Sequence, residues 1–382
     1  MKKKSYILIS AAAAFIIFLS IGTLLIPDVV FSPDENRYLT EKPDFTVKRV
    51  LDGTFERKYE EYLSDQIIGR NRWVEAKSLT EAALGINDIN GVYLCTGGRA
   101  VERITENDFD WSNYEKNLQR IEDFTEICTE QEINVHIMPV PTGAYVYREF
   151  LPDNAIMFDE GKAFSQAADA FGSNMIDIRN SLMAGKHEGD VFFKTDHHWT
   201  GRGARLAAAE FIGTAVNKAA AEKVRSCDTE IISSEFKGTL YSKVLLKTLG
   251  TDIIETSAYA RKADMKVEIE GEEYDSLYFD ENLNKKDKYA VYFGGNYGLV
   301  KIRATAGEKE RKESEKLLIV KDSFANSMVP FLLNDFPEIT MVDTRFYRGD
   351  ISRIAEEYDR VLFVYSVNNL SEEKIVLTGS LS

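Results

Sequence analysis

The pattern of apolar and polar residues begins with a strongly apolar N-terminal run. Lysines at positions 2–4 precede an uncharged, mostly apolar stretch from Tyr6 to Ile26. A helix of this length, which rises about 1.5 Å per residue, spans a hydrocarbon core of roughly 30 Å. The pattern therefore predicts a membrane anchor within residues 1–31.

A cleaved signal peptide and a buried N-terminal helix are the two alternatives for this run. Its apolar part exceeds the usual signal-peptide core of about 7 to 15 residues, and no clear small-x-small site precedes the polar SPDENRY segment. The uncleaved anchor is therefore favoured. Because flanking lysines stay on the cytoplasmic side, we expect a single-pass protein of the cell membrane with its main domain outside the cytoplasm.

A helical pattern follows the apolar run. In residues 32–85, Phe55, Tyr59, Tyr62 and Leu63 recur at helical spacing, with glutamate and arginine on the other face. We predict a helical, membrane-proximal segment.

From residue 86 onward, short apolar runs typical of strands alternate with amphipathic helical patterns. The predicted strands include INVHIMPV, MIDI, VFF, LLIV, ITMV and VLFVY. Such alternation is typical of an α/β protein with a parallel sheet and helices on both faces. Charged turns and short β-like pieces interrupt the order from about 227 to 316. We therefore predict one α/β domain over 86–382, with a β-containing insertion that could help to shape the site.

Composition narrows the classes of function. The net charge is -15 and the pI is near 5.0; we therefore expect no nucleic-acid partner, because phosphate backbones are bound by basic surfaces. Cys95, Cys128 and Cys227 are odd in number and lack CxxC spacing, so the sequence has no zinc-ribbon or thioredoxin motif. Three separate thiols, or one disulfide and one free thiol, both fit the sequence.

The candidate chemistry lies at the ends of predicted strands, where parallel sheets bind their ligands. The segment FFKTDHHWTGR carries Asp196 and His198 after one strand, Ser323 follows a second, and Asn368 follows a third. A nucleophilic serine needs an imidazole to take its proton, and the imidazole needs a carboxylate to orient it. We predict Ser323 as nucleophile, His198 as base and Asp196 as orienting acid.

Ser323 and Asn368 also have simpler explanations, and so does a further candidate, Arg345. Ser323 could be the N-cap of the next helix, unless Asp322 takes that role and leaves Ser323 at a helix N-terminus that can stabilise an oxyanion. Asn368 could donate its amide to the oxyanion or be a strand-end residue. Arg345, in VDTRFY, could bind substrate or form a surface ion pair.

A metal site is the other explanation for the paired histidines. In an extended chain, His197 and His198 point to opposite faces and do not easily share an ion. His136, in an apolar run, is typical of a core histidine, and His187, in GKHEGD, is typical of a solvated loop. We therefore predict no metal and no cofactor, with His197 pointing away from the triad.

Several segments together resemble the DHHW family of bacterial membrane-anchored proteins. They are TDHHW, KDSFANS, VDTRFY, YDRVLFVYSVNNL, ENRYLTEKPDF and GTFERKYEEYLSDQIIGR, and they extend from about residue 34 to 370. That family is similar to periplasmic alginate O-acetyltransferases, so the resemblance implies an SGNH hydrolase-like three-layer fold. It also implies an Asp-x-His pair at Asp196 and His198, Ser323 as nucleophile and Asn368 as oxyanion donor. Ordinary SGNH hydrolases carry the serine motif early and the histidine motif late, the reverse of this chain.

The resemblance implies an extracytoplasmic O-acetyltransferase that acts on a cell-surface or secreted polysaccharide. Ser323 would accept an acetyl group, supplied by a membrane-bound acyltransferase partner, and pass it to a sugar hydroxyl. A carbohydrate acetylesterase of the same fold is one alternative. A non-catalytic polysaccharide-binding or assembly protein is another, favoured if the three side chains do not converge.

Overall fold

The computed structural model divides the chain into two compact units. It describes residues 2–32, 37–304 and 314–377. The smaller unit comprises residues 1–90 and 241–247, and the larger comprises 91–240 and 248–382.

The smaller unit is mostly helical. Its elements are α1 (Lys2–Leu25), β1 (Phe31–Ser32), β2 (Arg37–Tyr38), α2 (Val47–Leu51), α3 (Thr54–Gln66), α4 (Arg70–Ala83) and β3 (Asp88–Ile89). Within α1, Tyr6–Leu25 is long and apolar enough to cross a membrane, and none of it is buried. Along α3, Phe55 stacks on Tyr59 with ring centroids 5.6 Å apart, as expected for aromatic residues one helical turn apart. Helices α2, α3 and α4 thus lie within the stretch 32–85 for which a helical segment was predicted.

A seven-stranded mixed sheet forms the core of the larger unit. The strands of this unit are β4 (Val92–Cys95), β5 (Arg99–Glu102), β6 (Asn134–Val140), β7 (Thr229–Phe236), β8 (Asp252–Ser257), β9 (Met265–Ile269), β10 (Glu272–Tyr274), β11 (Leu299–Ala304), β12 (Leu317–Lys321), β13 (Glu338–Val342) and β14 (Arg360–Ser366). The sheet has the order β10-β9-β11-β13-β12-β14-β6. From β13 to β6 the neighbouring strands are parallel. Strands β12 and β14 are buried along their whole length, which is expected of strands covered on both faces.

Part of the predicted insertion belongs to the same sheet. Strands β11, β9 and β10 extend it beyond β13 in antiparallel order, and β7 pairs with β8 in a separate antiparallel ribbon. In β9, Met265, Val267 and Ile269 are buried and alternate with more exposed residues, because one face of this part of the sheet packs on the core. The sheet is therefore mixed, whereas the alternation of strands and helices predicted a parallel one.

Two of the predicted strands form only single bridges. MIDI bridges β6 through Met175 and Ile137, and VFF bridges back to its own turn through Phe192 and Trp199. The chain reverses directly after VFF, where the Phe193 N–H donates to the His198 carbonyl (3.1 Å). Ile176 and Ile178 of MIDI and all of VFF are buried by tertiary packing, so the patterns of both runs looked like those of sheet strands.

Helices cover both faces of the sheet, so the predicted three-layer α/β arrangement is confirmed. The helices of this unit are α5 (Trp111–Glu130), α6 (Gly143–Val146), α7 (Glu160–Phe171), α8 (Arg179–Gly185), α9 (Gly201–Ala215), α10 (Lys218–Arg225), α12 (Ala258–Lys262), α13 (Phe324–Met328), α14 (Ile351–Ala355) and α15 (Val367–Glu372). Helix α11 (Thr239–Val244) begins in it, and its residues from 241 on belong to the smaller unit. Short 3-10 helices span Thr96–Gly98, Arg148–Phe150, Gly172–Asn174, Asp280–Asn284, Lys288–Val291 and Val329–Phe331. Apolar residues of α5 and α7 pack with Leu318 and Val320 on one face. Those of α9 pack with Ile319 and Met341 on the other.

Candidate active site

Ser323 lies between the end of β12 and the start of α13. Asp322 Oδ1 accepts a hydrogen bond from the Phe324 N–H (2.9 Å), and its Oδ2 accepts one from the Ser366 N–H (2.7 Å). The Ser323 side chain makes no capping hydrogen bond. Asp322 therefore satisfies the first amide of the helix, and the Ser323 hydroxyl is available for another partner.

That partner is His198. Ser323 Oγ lies 2.7 Å from His198 Nε2, and His198 Nδ1 lies 2.6 Å from Asp196 Oδ1. The geometry fits a seryl O–H that donates to Nε2 and an Nδ1–H that donates to the carboxylate, the arrangement in which imidazole can take the seryl proton. All three residues are buried. The structure thus brings together three residues that lie up to 127 positions apart, as their numbers 196 and 323 show.

Asp196 is held by several donors. Its Oδ1 also accepts the His198 backbone N–H (3.0 Å), and its Oδ2 accepts the N–H (2.7 Å) and hydroxyl (3.1 Å) of Thr239. Burial alone would raise the pKa of Asp196, but the imidazoles of His197 and His198 and these hydrogen bonds outweigh it and hold the pKa well below its ordinary value. An ionised carboxylate therefore faces His198.

His197 does not point away from the triad, so that expectation was wrong. The centroid of its ring lies 3.9 Å from that of His198, and its Nδ1 lies 2.8 Å from Thr239 Oγ1. The expectation assumed an extended chain, whereas residues 194–198 are sharply bent, and side chains in a bend need not alternate. Burial, together with the electrostatic effect of the adjacent His198 imidazole, lowers the pKa of His197 to about 4. The ring is therefore neutral near pH 7.

The bend also places Asp196, His197 and His198 close enough to suggest a metal centre, since one ligand-type atom from each lies within 4.8 Å of the others. However, both ring nitrogens of His198 are already paired with Asp196 and Ser323, and His197 Nδ1 is paired with Thr239. An ion bound by a ring nitrogen of His198 would have to displace the hydrogen bond of that nitrogen to Asp196 or to Ser323. These contacts favour a triad over a metal site.

Tyr289 is a further site residue that the sequence analysis missed. Its ring stacks on His198 with centroids 4.0 Å apart and planes 8° apart. Its hydroxyl donates to the Ser323 carbonyl (3.1 Å) and pairs with Ser327 Oγ (3.0 Å). Tyr289 thus contacts both the proposed base and the peptide unit of the proposed nucleophile. No local motif marks Tyr289, because its contacts with Ser323 and His198 join positions that are far apart in the chain.

The TDHHW turn is fixed at both ends. Asp252, at the start of β8, accepts the Lys194 N–H (2.8 Å), the Thr195 N–H (2.9 Å) and the Thr195 hydroxyl (2.6 Å). At the other end, Thr200 is the N-cap of α9 and accepts the Gly203 N–H (3.2 Å). The segment from about 227 to 316 therefore contributes Asp252, like Thr239 and Tyr289, to the surroundings of the triad.

The side-chain amide of Asn368, predicted to donate to the oxyanion, donates to a glutamate instead. Its Nδ2 donates to Glu372 Oε1 (3.1 Å), one turn further along α15. The next residue, Asn369, donates instead to Asp322 Oδ2 (2.8 Å). A step of one residue turns a helical side chain by about 100°, so the register of α15 decides which asparagine faces the serine loop.

Arg345 is engaged in an ion pair. Its Nε and Nη2 donate to the two carboxylate oxygens of buried Asp343 (2.9 and 2.6 Å), and its Nη1 lies 3.4 Å from Glu373 Oε1. Both acids lie near it in space, and the bidentate geometry is the one that guanidinium and carboxylate groups favour. The structure therefore gives Arg345 ion-pair partners.

The other histidines and the cysteines lie outside this cluster. His136 is half-buried, its Nε2 pairs with Arg360 Nη1 (2.7 Å), and burial lowers the pKa of His136 to about 4. His187 is exposed. Cys95, Cys128 and Cys227 are free thiols.

Lys321 is a buried cation two residues before Ser323. Its Nζ donates to Asn326 Oδ1 (2.8 Å) and Asn296 Oδ1 (3.1 Å) and lies 3.5 Å from Asp343 Oδ2. Burial lowers the pKa of Lys321 to about 8, although Asp343 opposes the shift. The ammonium group therefore ties the turn around Asn296 to the helix that follows Ser323.

We expect the stability contributed by Lys321 to rise with pH. Because its pKa is lower in the folded protein, the unfolded chain binds more protons from about pH 8 to pH 10.5, and folding is favoured as pH rises. The free energy of unfolding of the wild type, minus that of Lys321→Met, should increase by about 1 kcal/mol per pH unit there. Urea unfolding of the full-length protein measures it. Lys218→Met, at an exposed position, is the control, and a constant or falling difference contradicts the prediction.

Comparison with known proteins places this architecture in a class. Residues 100–285 match the family model described as SGNH hydrolase-like domain, acetyltransferase AlgX. The match includes Asp196 and His198 and ends before Ser323. A DHHW family protein from Eubacterium siraeum has a similar structure, with a TM-score of 0.60 and 23% identity over 76% of this chain and 97% of that chain. Bacillus cereus PatB1 with a sulfonyl adduct also has a TM-score of 0.60, at 18% identity over 75% and 97% of the two chains.

The fold is therefore that of an SGNH hydrolase-like protein. A probable alginate O-acetylase AlgJ from Pseudomonas syringae pv. tomato is 26% identical to this chain over 219 residues. The alignment covers 54% of each protein, so the chain spans about half the length of this curated relative. The predicted resemblance to DHHW proteins and to SGNH-like proteins of the alginate O-acetyltransferase type is confirmed.

Proposed function

We propose that the protein is an extracytoplasmic O-acetyltransferase of a cell-surface or secreted polysaccharide. The observation that carries the proposal is the continuous chain of short hydrogen bonds from Ser323 through His198 to Asp196 (2.7 and 2.6 Å). The family model, which describes an acetyltransferase, and the relative named as an alginate O-acetylase support acetyl transfer to a glycan.

In the proposed mechanism, His198 Nε2 takes the proton of Ser323 Oγ while that oxygen attacks the acyl carbonyl of the donor. Asp196 keeps the other ring proton on Nδ1 and stabilises the imidazolium. The imidazolium then protonates the leaving group as its bond to the acyl carbon breaks, which leaves acetyl-Ser323. A sugar hydroxyl next gives its proton to His198 and attacks the acetyl carbon. The bond from that carbon to Ser323 Oγ then breaks, and the imidazolium returns its proton to Oγ, which regenerates the serine and leaves the acetyl group on the sugar.

The tetrahedral intermediate needs hydrogen-bond donors for its oxyanion. The Phe324 N–H already donates to Asp322, so it is not free for this role. The Ser323 N–H has no acceptor among the described residues. We propose that this amide is one donor to the oxyanion.

The test uses an aryl acetate as acetyl donor for the full-length protein. Intact mass should show one acetyl group per chain, and peptide mapping should place it on the peptide that contains Ser323. An acetyl group found only on other residues would sink the proposal. Addition of oligosaccharides then separates the two reactions: a transferase places the acetyl group on the glycan, whereas an esterase releases acetate at a rate that the glycan does not change.

We also propose that α1 anchors the protein in the cell membrane and that a membrane-bound acyltransferase supplies the acetyl group. The length and apolar character of Tyr6–Leu25 support the anchor. Within the smaller unit, however, Trp73 meets Phe15 edge to face (5.9 Å). Phe15 lies about 15 Å along the helix from the end of α1. If α1 spans a bilayer, Phe15 is surrounded by lipid, and Trp73 of α4 has to leave this contact. Retention of the mature chain in membranes after alkaline carbonate washing tests the anchor, and release would contradict it.

A further inference from the structure

A surface cavity of about 250 Å³ lies in the larger unit, apart from the triad. Two strands of the sheet extension and the loop after β13 form its walls. Residues that line it include Glu268, Leu299, Lys301, Phe346, Tyr347 and Arg348. The reaction described above assigns no role to this cavity.

The sheet register shows how far the cavity is from the candidate active site. Val320 of β12 is paired with Val342 of β13, and Val342 is paired with Leu299 of β11. Neighbouring strands are about 4.8 Å apart, so Leu299 lies about 10 Å across the sheet from β12. Ser323 follows Val320 by three residues at the carboxyl end of β12. The cavity and Ser323 therefore lie near the same edge of the sheet. Leu299 packs on the face of Val320, whereas Tyr289, which stacks on His198, packs on the opposite face, so a glycan bound in the cavity reaches Ser323 by crossing this edge.

The walls of the cavity are formed by regular structure. Leu299 and Lys301 lie on the same face of β11 because side chains of a strand alternate, and Lys301 Nζ lies 3.8 Å from Glu268 Oε1 of the neighbouring strand. A side chain at Gly298 would place its Cβ 3.0 Å from the Tyr347 backbone nitrogen. The glycine thus allows the loop after β13 to lie close against the start of β11.

The most exposed part of the lining is aromatic. Phe346 is 55% exposed and is the only exposed phenylalanine of the larger unit within the described ranges. The guanidinium carbon of Arg345 lies 5.5 Å from the centroid of its ring. An aromatic ring in water has a hydration cost that a stacking ligand would remove. Charged hydrogen-bonding groups on Lys301 and Arg348 stand beside it.

This mixture of groups fits a carbohydrate. A pyranose ring offers an apolar C–H face that can cover Phe346, and hydroxyls that can bond to carboxylates and cationic side chains. A lipid tail would need a larger continuous apolar surface. A polyphosphate would meet the carboxylates of Glu268 and Glu270, which line the same cavity and repel it.

We propose that this cavity is a glycan subsite, which binds one part of the acceptor chain while a hydroxyl on another sugar of that chain reaches Ser323. The inference rests on the proposed function, because it requires a polysaccharide acceptor. The subsite holds the polymer along the edge of the sheet from β11 toward β12. Its loss should weaken binding of glycans and leave the reaction of Ser323 with a small aryl acetate unchanged.

The experiment measures binding and acylation separately on the full-length protein. Saturation-transfer NMR reports binding of a neutral chitin oligosaccharide and of a mannuronate oligomer, whose carboxylates Glu268 and Glu270 should disfavour. At least one probe should bind the wild type and bind Phe346→Ala about tenfold more weakly, as expected for the loss of one stacking contact. Ile231→Ala is the matched control, since Ile231 is an exposed apolar residue of the same unit, and it should bind like the wild type.

Two outcomes overturn the subsite. In one, neither oligosaccharide binds the wild type; in the other, Phe346→Ala binds as well as Ile231→Ala does. Acylation by the aryl acetate is read out in parallel and should be equal in all three proteins. If the wild type binds glycan through Phe346 but forms no acetyl adduct on Ser323, the acetyltransferase proposal fails while the glycan site stands.

Discussion

Asp196→Asn should lower the rate of acetyl-enzyme formation by about 10³- to 10⁴-fold. Asp196 faces Nδ1–H of His198 with one oxygen and the Thr239 N–H with the other. An amide can present an oxygen to only one of these donors. If its NH₂ faces His198, the ring carries its proton on Nε2 and cannot accept the proton of Ser323.

The burst of aryl alcohol released on mixing with the aryl acetate measures this rate. Ser323→Ala, which lacks the proposed nucleophile, defines the background of the assay. Asp335→Asn, a half-buried aspartate before β13, is the matched control and should react like the wild type. A rate for Asp196→Asn within tenfold of the wild type would show that the carboxylate does not orient the base.

Gly238→Ala should lower the same rate by about 10²-fold or more. A Cβ at position 238 would overlap the carboxylate of Asp196, and the Gly238 N–H donates to Thr195 Oγ1 (3.2 Å) on the same turn. To make room, Asp196 has to move away from Thr239 or from His198. A shift of about 1 Å in a catalytic group is enough to cause a loss of this size.

Gly250→Ala is the control for this variant. Gly250 lies in the same unit, and an added Cβ there has no neighbour within 4 Å. It should retain the wild-type rate and melting temperature. If Gly238→Ala reacts as fast as Gly250→Ala, the position of Asp196 tolerates the added methyl group, and the tight packing around the triad is not needed for the reaction.

The segments with a chemical signature could be identified from the sequence because their signals are local. TDHHW and KDS each place a reactive residue directly after an apolar run, and the preceding aspartate in KDS offers an alternative cap. The order of strands and helices likewise predicts a three-layer α/β domain, since apolar spacing reports which face of an element is buried. These features, together with the family resemblance, are confirmed. The catalytic roles of Ser323, His198 and Asp196 stay predictions.

Other features depend on long-range contacts and leave no local pattern. Tyr289 contacts a peptide unit 34 residues away, and Asp252 holds a turn 57 residues away. Nothing adjacent to either residue distinguishes it from an ordinary tyrosine or aspartate. The same limit explains why the antiparallel extension of the sheet was not foreseen, because strand pairing joins segments that are distant in the chain.

The sequence by itself determined the type of each local element and the chemistry available at its ends, because periodicity, capping residues and reactive side chains act within a few positions. Only the tertiary structure decided which of those side chains meet. The bend at residues 194–198 brought His197 onto His198, and the register of α15 gave Asn369, not Asn368, to Asp322. These contacts depend on how the helices, strands and turns pack against one another. A shift of one residue in a helix, or one bend in a loop, changes which side chains lie within hydrogen-bond distance.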